Sequence, residues 1–219
     1  LKGHVGAFKV GLELVNSAGL SIFERLQAAG ADRIFYDCKV HDIPNTVAGA
    51  MRSIAKHGLW MTNLHASGGS RMITAARTAL DESSAESGLT APILLGVTLL
   101  TSLSAEELNE ELSVNLSPQD YVVKLALLVK RSGGNGVVCS PHEIAAIRSA
   151  CGTEFKIVTP GVRPKGVSVD DQKRVMTPGE AVSLVADYLV IGRAITGNPD
   201  PQAAAGAIVE EIVQARTCS

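Results

Sequence analysis

The densest group of chemically capable residues is the run Asp-Cys-Lys-Val-His-Asp-Ile-Pro-Asn-Thr at positions 37–46. It begins where an apolar, strand-like segment ends. Because side chains alternate along a strand, Asp37 and Lys39 should point to the same side, with Asp42 just beyond the strand. An ammonium held between carboxylates has its charged form favoured, so we expect Lys39 to act as an acid and not as a Schiff-base amine. The alternative is a solvated charge cluster at a strand end.

A second lysine ends the predicted strand before this one. Lys9 stands in the segment Phe-Lys-Val-Gly, where its apolar neighbours make a lone lysine unusual. It would complete an array of alternating charge with Asp37, Lys39 and Asp42. The alternative is a lysine whose ammonium simply reaches solvent from the end of a strand.

Two arginines follow the last two predicted strands. Arg163 lies in Thr-Pro-Gly-Val-Arg-Pro and Arg193 in Ile-Gly-Arg. In barrels, loops at these places commonly form a phosphate site from backbone amides and a cation. Arginine offers phosphate a bidentate fork, and Gly192 would let its N–H approach closely. Gln172, in a polar loop, is a candidate donor over the phosphate. Alternatively, Pro and Gly only shape turns and both arginines are solvated.

Two further strand ends carry polar groups. Thr101 and Ser102 follow one strand, where their hydroxyls could face a planar polar ring or merely cap the strand end. His65 ends another strand, a position that suits a metal ligand or a general base. No set of residues at metal-ligand spacing accompanies His65, so we favour a hydrogen-bonded structural histidine.

Strand and helix patterns alternate along the chain, and these elements must position the polar groups. The strands are predicted at 8–12, 33–37, 60–66, 93–100, 136–140, 156–160 and 188–192, and the helices at 20–29, 46–57, 72–80, 118–132, 142–151, 178–185 and 201–215. The alternation predicts one α/β domain over residues 1–219, either a doubly wound sheet or a (β/α)8 TIM barrel, and typical barrel size favours the barrel. A barrel needs eight strands, so we expect its first strand to be missing from this chain, before Leu1.

Composition excludes several classes of function. The 219 residues include 20 basic and 22 acidic side chains, a balance that argues against nucleic-acid binding. The apolar stretches are too short to span a membrane, and we expect a cytoplasmic protein. The four cysteines are scattered, which predicts neither a disulfide framework nor a thiolate metal site. The dinucleotide fingerprint G-x-G-x-x-G is absent from the sequence.

These motifs together resemble the orotidine 5′-monophosphate decarboxylase family in its common bacterial form. The matching blocks lie at 8–11, 37–46, 64–69, 97–102, 158–164 with Gln172, and 189–193. The string D-x-K-x-x-D-I-P-N-T is highly specific when T-P-G-V-R-P and V-I-G-R follow it in this order. The resemblance implies a (β/α)8 barrel without metal or cofactor. It also implies conversion of orotidine 5′-monophosphate to uridine 5′-monophosphate and CO₂, the last step of de novo pyrimidine synthesis.

The resemblance also implies a role for each matching residue. Lys39 would donate a proton to C6 of the pyrimidine, Asp37 would lie beside the departing carboxylate, and Lys9 would contact the ribose and orient Asp37. The family is homodimeric, and Asp42 and Thr46 would complete the partner's site. The implied substrate-binding residues are Asn45, Thr46, Thr101, Ser102, Pro160, Arg163, Gln172, Gly192 and Arg193. The family's first strand also carries a ribose-binding aspartate, which we expect to precede Leu1.

Two alternatives remain at this point. A hexulose-phosphate synthase shares the D-x-K-x-x-D string but uses Mg²⁺, and the continuation His-Asp-Ile-Pro-Asn-Thr favours the decarboxylase. A nucleotide-binding module without catalysis would keep the phosphate site but would not need Lys9, Asp37, Lys39 and Asp42.

Overall fold

A computed structural model describes residues 1–164 and 176–217 of the chain. The strands are β1 (Phe8–Gly11), β2 (Ile34–Val40), β3 (Met61–His65), β4 (Ile93–Val97), β5 (Gly136–Val138), β6 (Lys156–Thr159) and β7 (Tyr188–Leu189). The helices are α1 (Leu12–Ala18), α2 (Ile22–Ala28), α3 (Pro44–Ala55), α4 (Gly69–Glu86), α5 (Ala105–Glu110), α6 (Pro118–Arg131), α7 (Ile144–Cys151), α8 (Pro178–Ser183), α9 (Arg193–Thr196) and α10 (Pro201–Thr217). Within these ranges, the helices are all too short or too polar to cross a membrane.

Contacts divide the chain into two compact units, and the first comprises Lys2–Val97 and Leu128–Gly136. Its strands β1 to β4 are parallel neighbours in chain order. Helix α3 begins at Pro44, since proline suits the first helical position. Its apolar residues Val47, Met51 and Ile54 recur at helical spacing and are buried. The polar residues of these strands are thus positioned by a sheet against which α3 packs with buried apolar side chains.

The second unit comprises Leu1, Thr98–Leu127 and Val137–Ser219, and it holds the strands β6 and β7. These two strands are parallel, with Val158 opposite Tyr188. Helix α8 begins with a capping box in which Thr177 and Glu180 satisfy each other's backbone N–H groups. The Arg148 guanidinium donates a hydrogen bond to the Asp187 carboxylate at 2.7 Å. It also donates to three backbone carbonyl groups just after α7. These contacts fix the chain before β6 and β7.

The structure confirms the seven predicted strands and the seven predicted long helices, and it corrects several boundaries. Strand β2 continues to Val40, so residues 38–40 of the candidate run lie in the strand and not beyond it. Strands β4 and β7 end earlier than predicted, and Leu12 begins α1. The short helices α1, α5 and α9 were not predicted, because none of them has the apolar stripe of a packed helix: α1 buries no residue, and α5 and α9 bury one each.

Candidate active site

The centre of the first unit's site is an irregularity in strand β2. Tyr36 pairs with Thr62 and Val40 pairs with Leu64, so residues 37–39 all lie opposite Asn63. Lys39 has a positive φ of 49°, a conformation that non-glycine residues seldom adopt. A bulge of this kind re-aims the side chains around it, and bulges are frequent beside active sites.

Three charged side chains meet at this bulge. The Lys39 ammonium donates to Asp37 Oδ1 at 2.7 Å, and the Lys9 ammonium donates to Asp37 Oδ2 at 3.0 Å. The Asp37 side chain is 13% exposed, against 34% for Lys9 and 29% for Lys39. The predicted placement of Asp37 and Lys39 on one side of the strand, with Lys9 beside them, is therefore confirmed. The carboxylate is largely covered, while both ammonium groups can reach a molecule in solution.

The environment of Asp37 favours its anionic form. Burial by itself raises the pKa of the Asp37 carboxyl, but the hydrogen bonds from Lys39 and Asn63 and the charges of Lys9 and Lys39 outweigh it, and the pKa lies below its usual value. The site therefore holds one fixed negative charge between two ammonium groups at neutral pH.

His65 lies near this cluster, at the end of β3. Its ring is half-buried and packs against the His41 ring, with the centroids 5.5 Å apart. Among the described residues, this ring contact takes the place of the hydrogen bond that the sequence predicted. Burial, followed by the charges of His41 and Lys39, lowers the pKa of His65, so its imidazole is neutral at neutral pH. No three His, Cys, Asp or Glu side chains within residues 1–164 and 176–217 converge into a possible metal site.

The segment that follows β2 does not add its carboxylate to the cluster. Asp42 Oδ1 accepts the Ile43 N–H at 2.6 Å, just before α3. Within the described chain, Asp42 forms no ion pair with Lys39. The side chains of Asp42, Asn45 and Thr46 are exposed, and Ile43 is 66% exposed. Of the four charges in the predicted array, three therefore meet in this chain, those of Lys9, Asp37 and Lys39.

The second unit contains a pocket formed by the segments after β6 and β7. Its walls are Gly161, Val162, Arg163, Val190, Gly192, Arg193 and Ala194. The structure therefore brings together the predicted residues Arg163, Gly192 and Arg193. The Arg163 N–H donates to the Met176 carbonyl at 3.0 Å, and Gly161 takes a positive φ of 76° that suits glycine.

The remaining predicted binding residues belong to the same unit. Pro160 is half-buried and directly precedes Gly161 of the pocket. Thr101 is half-buried and Ser102 is exposed, both in the loop between β4 and α5. Gln172 lies outside the described residues.

Sequence reasoning missed Asn63, which contacts two members of the charged cluster. It is fully buried in β3, and its amide bonds to both Asp37 and Lys39. The available signal was a polar residue inside the apolar strand at 60–66, since a buried amide must find hydrogen-bond partners.

Comparison with known proteins identifies close relatives over nearly the whole chain. A family model described as "Orotidine 5'-phosphate decarboxylase / HUMPS family" matches residues 1–208. The orotidine 5′-phosphate decarboxylase of Moorella thermoacetica is 50% identical over 212 residues, which cover 97% of this chain and 84% of that protein. The protein of the same name from Syntrophomonas wolfei is 49% identical over 213 residues, with coverages of 97% and 89%.

A solved structure agrees with these relatives. The crystal structure of orotidine 5′-phosphate decarboxylase from Lactobacillus acidophilus matches with a TM-score of 0.84 and 39% identity, over 97% of this chain and 89% of that one. The (β/α)8 TIM-barrel class predicted from the sequence is confirmed by this likeness. The chain therefore belongs to the orotidine 5′-phosphate decarboxylase / HUMPS family.

Proposed function

We propose that this protein converts orotidine 5′-monophosphate to uridine 5′-monophosphate and CO₂, the last step of pyrimidine biosynthesis. The observation that carries the proposal is the cluster of Lys9, Asp37 and Lys39 at the bulge of β2, in which one covered carboxylate accepts from two accessible ammonium groups. The names of the close relatives support the same reaction. Among these relatives the name is orotidine 5′-phosphate decarboxylase, which favours this activity over the hexulose-phosphate synthase that shares the D-x-K-x-x-D string.

The reaction breaks the bond between C6 of the pyrimidine and its carboxylate. The electron pair left on C6 lies in the ring plane, where the π system of the ring cannot delocalise it. An ammonium placed beside C6 stabilises this developing negative charge and then supplies the proton that completes the product. Lys39 is the group proposed for this step, and its amine regains a proton from solvent before the next turnover.

Asp37 and Lys9 are proposed to set the field in which Lys39 works. Asp37 holds the Lys39 ammonium at 2.7 Å and would lie beside the departing carboxylate. A negative charge at that place favours loss of CO₂ more than it favours bound substrate, which is the condition for lowering a barrier. Lys9 fixes the other carboxylate oxygen at 3.0 Å and is proposed to contact the ribose.

The arginine pocket of the second unit is proposed to bind the phosphate of the substrate. Arg163 and Arg193 would pair with phosphate oxygens, and Gly192 leaves open space where a side chain would otherwise stand. Gln172 is proposed as a further phosphate ligand, Pro160 as part of the ring pocket, and Thr101 with Ser102 as ligands of the pyrimidine edge. Binding energy from a remote phosphate can raise turnover as well as affinity when it orders the site around the reacting atoms.

We also propose a homodimer in which Asp42 and Thr46 complete the partner's site, with Asn45 as a further substrate-binding residue. The carboxylate of Asp42 supports this assignment, because it is exposed and forms no ion pair among the described residues. The cytoplasmic location expected from the sequence remains part of the proposal.

The deciding experiment is a spectrophotometric assay of the purified protein with orotidine 5′-monophosphate in the presence of EDTA, which follows loss of the orotate chromophore. We expect rapid turnover that the chelator does not change. No turnover of orotidine 5′-monophosphate, together with Mg²⁺-dependent activity on a phosphosugar, would favour the synthase chemistry instead. Binding of the nucleotide without turnover would indicate a module that has kept only the phosphate site.

A further inference from the structure

Asn63 occupies an unusual place in strand β3. The bulge places Asp37, Cys38 and Lys39 opposite this one residue, and all three are bonded to it. The Asn63 amide Nδ2–H donates to Asp37 Oδ1 at 2.7 Å, and its Oδ1 accepts the Lys39 backbone N–H at 2.7 Å. The Asn63 backbone carbonyl accepts from Cys38 Sγ at 3.1 Å. Asn63 therefore forms a hydrogen bond with each of the three residues of the bulge.

The oxygen and the nitrogen of the Asn63 amide have different roles, the first toward the Lys39 backbone and the second toward the Asp37 carboxylate. At a bulge, the backbone N–H of the displaced residue loses its partner in the strand ladder, and a buried N–H without a partner is costly. The Asn63 Oδ1 replaces that partner for Lys39, whose φ of 49° is otherwise an unfavourable conformation. The Nδ2–H shares Asp37 Oδ1 with the Lys39 ammonium, so it fixes the plane of the carboxylate that Lys39 contacts.

We propose that Asn63 is a positioning residue that locks the Lys39 backbone and the Asp37 carboxylate into one rigid unit, so that the Lys39 ammonium is presented at a fixed place beside the substrate. This inference rests on the proposed decarboxylase function for its catalytic consequence. Asn63 is fully buried and acts through Lys39 and Asp37, without contact with substrate. Asparagine suits this position because its short amide carries both a donor and an acceptor.

The pKa of Asp37 can report on its hydrogen bond from Asn63, once the other charged and titratable groups that face the carboxylate are known. Lys9 faces the carboxylate from β1, Lys39 from β2 and His65 from the end of β3, with the ring of His41 beyond it. The hydrogen bond from Asn63 contributes to holding the pKa of Asp37 below its usual value. Its loss therefore raises that pKa, while a change confined to packing in β3 leaves it unaltered.

The test compares Asn63→Ala and Asn63→Asp with wild-type protein. The alanine variant removes both hydrogen bonds without adding a charge, whereas the near-isosteric aspartate keeps the acceptor, removes the amide donor and places a second carboxyl group beside Asp37. We expect kcat with orotidine 5′-monophosphate to fall about 100-fold in both, the loss typical of a catalytic group misplaced by about 1 Å. KM should stay within about 3-fold of the wild-type value, because the arginine pocket is unchanged. Carbon-13 NMR titration of the Asp37 carboxyl should show a raised pKa in Asn63→Ala, which removes the donor without adding a charge beside Asp37.

The matched control is Thr62→Val, which changes the neighbouring buried residue of β3. Thr62 bonds to the Cys38 thiol and not to Asp37, so kcat and the Asp37 titration should remain close to wild type. If Asn63→Asp is folded and keeps kcat within about 3-fold of wild type, or if the Asp37 pKa does not move in Asn63→Ala, the inference is wrong. A wild-type protein without turnover would refute the proposed function instead, and the Asp37 titration would still decide whether Asn63 positions the cluster.

Discussion

Replacing Lys39 by alanine and by glycine separates its chemistry from its backbone strain. Both changes remove the ammonium that donates to Asp37 at 2.7 Å. Loss of a general acid typically costs about 10²- to 10⁴-fold in rate. Loss of a charge that stabilises the transition state costs a further factor of about 10² to 10³. We therefore expect kcat for orotidine 5′-monophosphate to fall at least about 10⁴-fold in each variant.

The two variants should differ in stability, because the φ of residue 39 is 49°. Alanine keeps the unfavourable left-handed conformation, which costs about 1–2 kcal/mol for a residue with a Cβ, whereas glycine adopts it freely. After the greater entropy of glycine in the unfolded chain is subtracted, Lys39→Gly should exceed Lys39→Ala in free energy of unfolding by about 1 kcal/mol. For a chain of this size, that difference corresponds to about 2–4 °C in Tm.

Loss of the ion pair itself should have a small effect on stability. The Lys39 side chain is 29% exposed, and Asp37 keeps its hydrogen bonds from Lys9 and Asn63. An ion pair this close to solvent contributes about 1 kcal/mol or less. Both variants should therefore remain folded, and Lys39→Gly should lie near wild type in Tm.

The measurements are the orotate absorbance assay and chemical denaturation followed by circular dichroism. Lys124→Ala, which removes an exposed lysine from α6, is the matched control and should keep wild-type kcat and Tm. A folded variant at position 39 that retains more than about a tenth of wild-type turnover would refute the role of Lys39 as the acid. Equal free energies of unfolding for the alanine and glycine variants would show that the left-handed conformation of residue 39 does not destabilise the protein.

Three further predictions concern Asp37, the arginine pocket and Asp42. Because the pKa of Asp37 is below its usual value of about 4, its contribution to stability is complete above that pH and is lost as pH falls through the lower folded value. An Asp37 carboxyl that titrates above about pH 4 in carbon-13 NMR would contradict this. Arg193→Ala should lower kcat/KM about 10- to 100-fold, the range expected for lost charge-assisted hydrogen bonds, whereas the exposed Arg71→Ala should not change it. Mixing Asp42→Ala with Lys39→Ala subunits should restore about a quarter of the wild-type sites, since half of the random dimers are mixed and each carries one intact site. Verified mixed dimers without activity would show that Asp42 is not shared.

The charged cluster was predictable because residues two apart on a strand, such as Asp37 and Lys39, are expected on the same side. Lys9 lies in the neighbouring parallel strand, and the cluster forms even though β2 is irregular at residues 37–39. The arginine pocket was predictable for a similar reason. The carboxyl ends of parallel strands lie at one edge, so the segments after β6 and β7 bring Arg163 and Arg193 together.

Asp42 shows where this reasoning ends. Once the chain leaves β2 at Val40, no periodicity fixes the direction of the next side chains. Its carboxylate bonds to the Ile43 N–H before α3, a local contact that competes with any distant one. Alternating charge in the sequence therefore could not decide whether Asp42 would join the cluster of Lys9, Asp37 and Lys39.

The role of Asn63 and the positive φ of Lys39 were hard to predict, because both depend on the same hydrogen bond between two strands. A regular β2 would place a single residue opposite Asn63, and nothing in the residue types at 36–40 indicates a bulge or a positive φ. The bulge is stable because the buried amide oxygen of Asn63, in the adjacent strand, accepts a hydrogen bond from the displaced N–H of Lys39. The same amide then donates to Asp37, so the group that stabilises the irregular backbone also orients the carboxylate beside Lys39. Local strain at the proposed acid and order in its ion pair thus have one structural cause, which spans two strands and whose sequence signal is limited to a polar residue within the apolar strand β3.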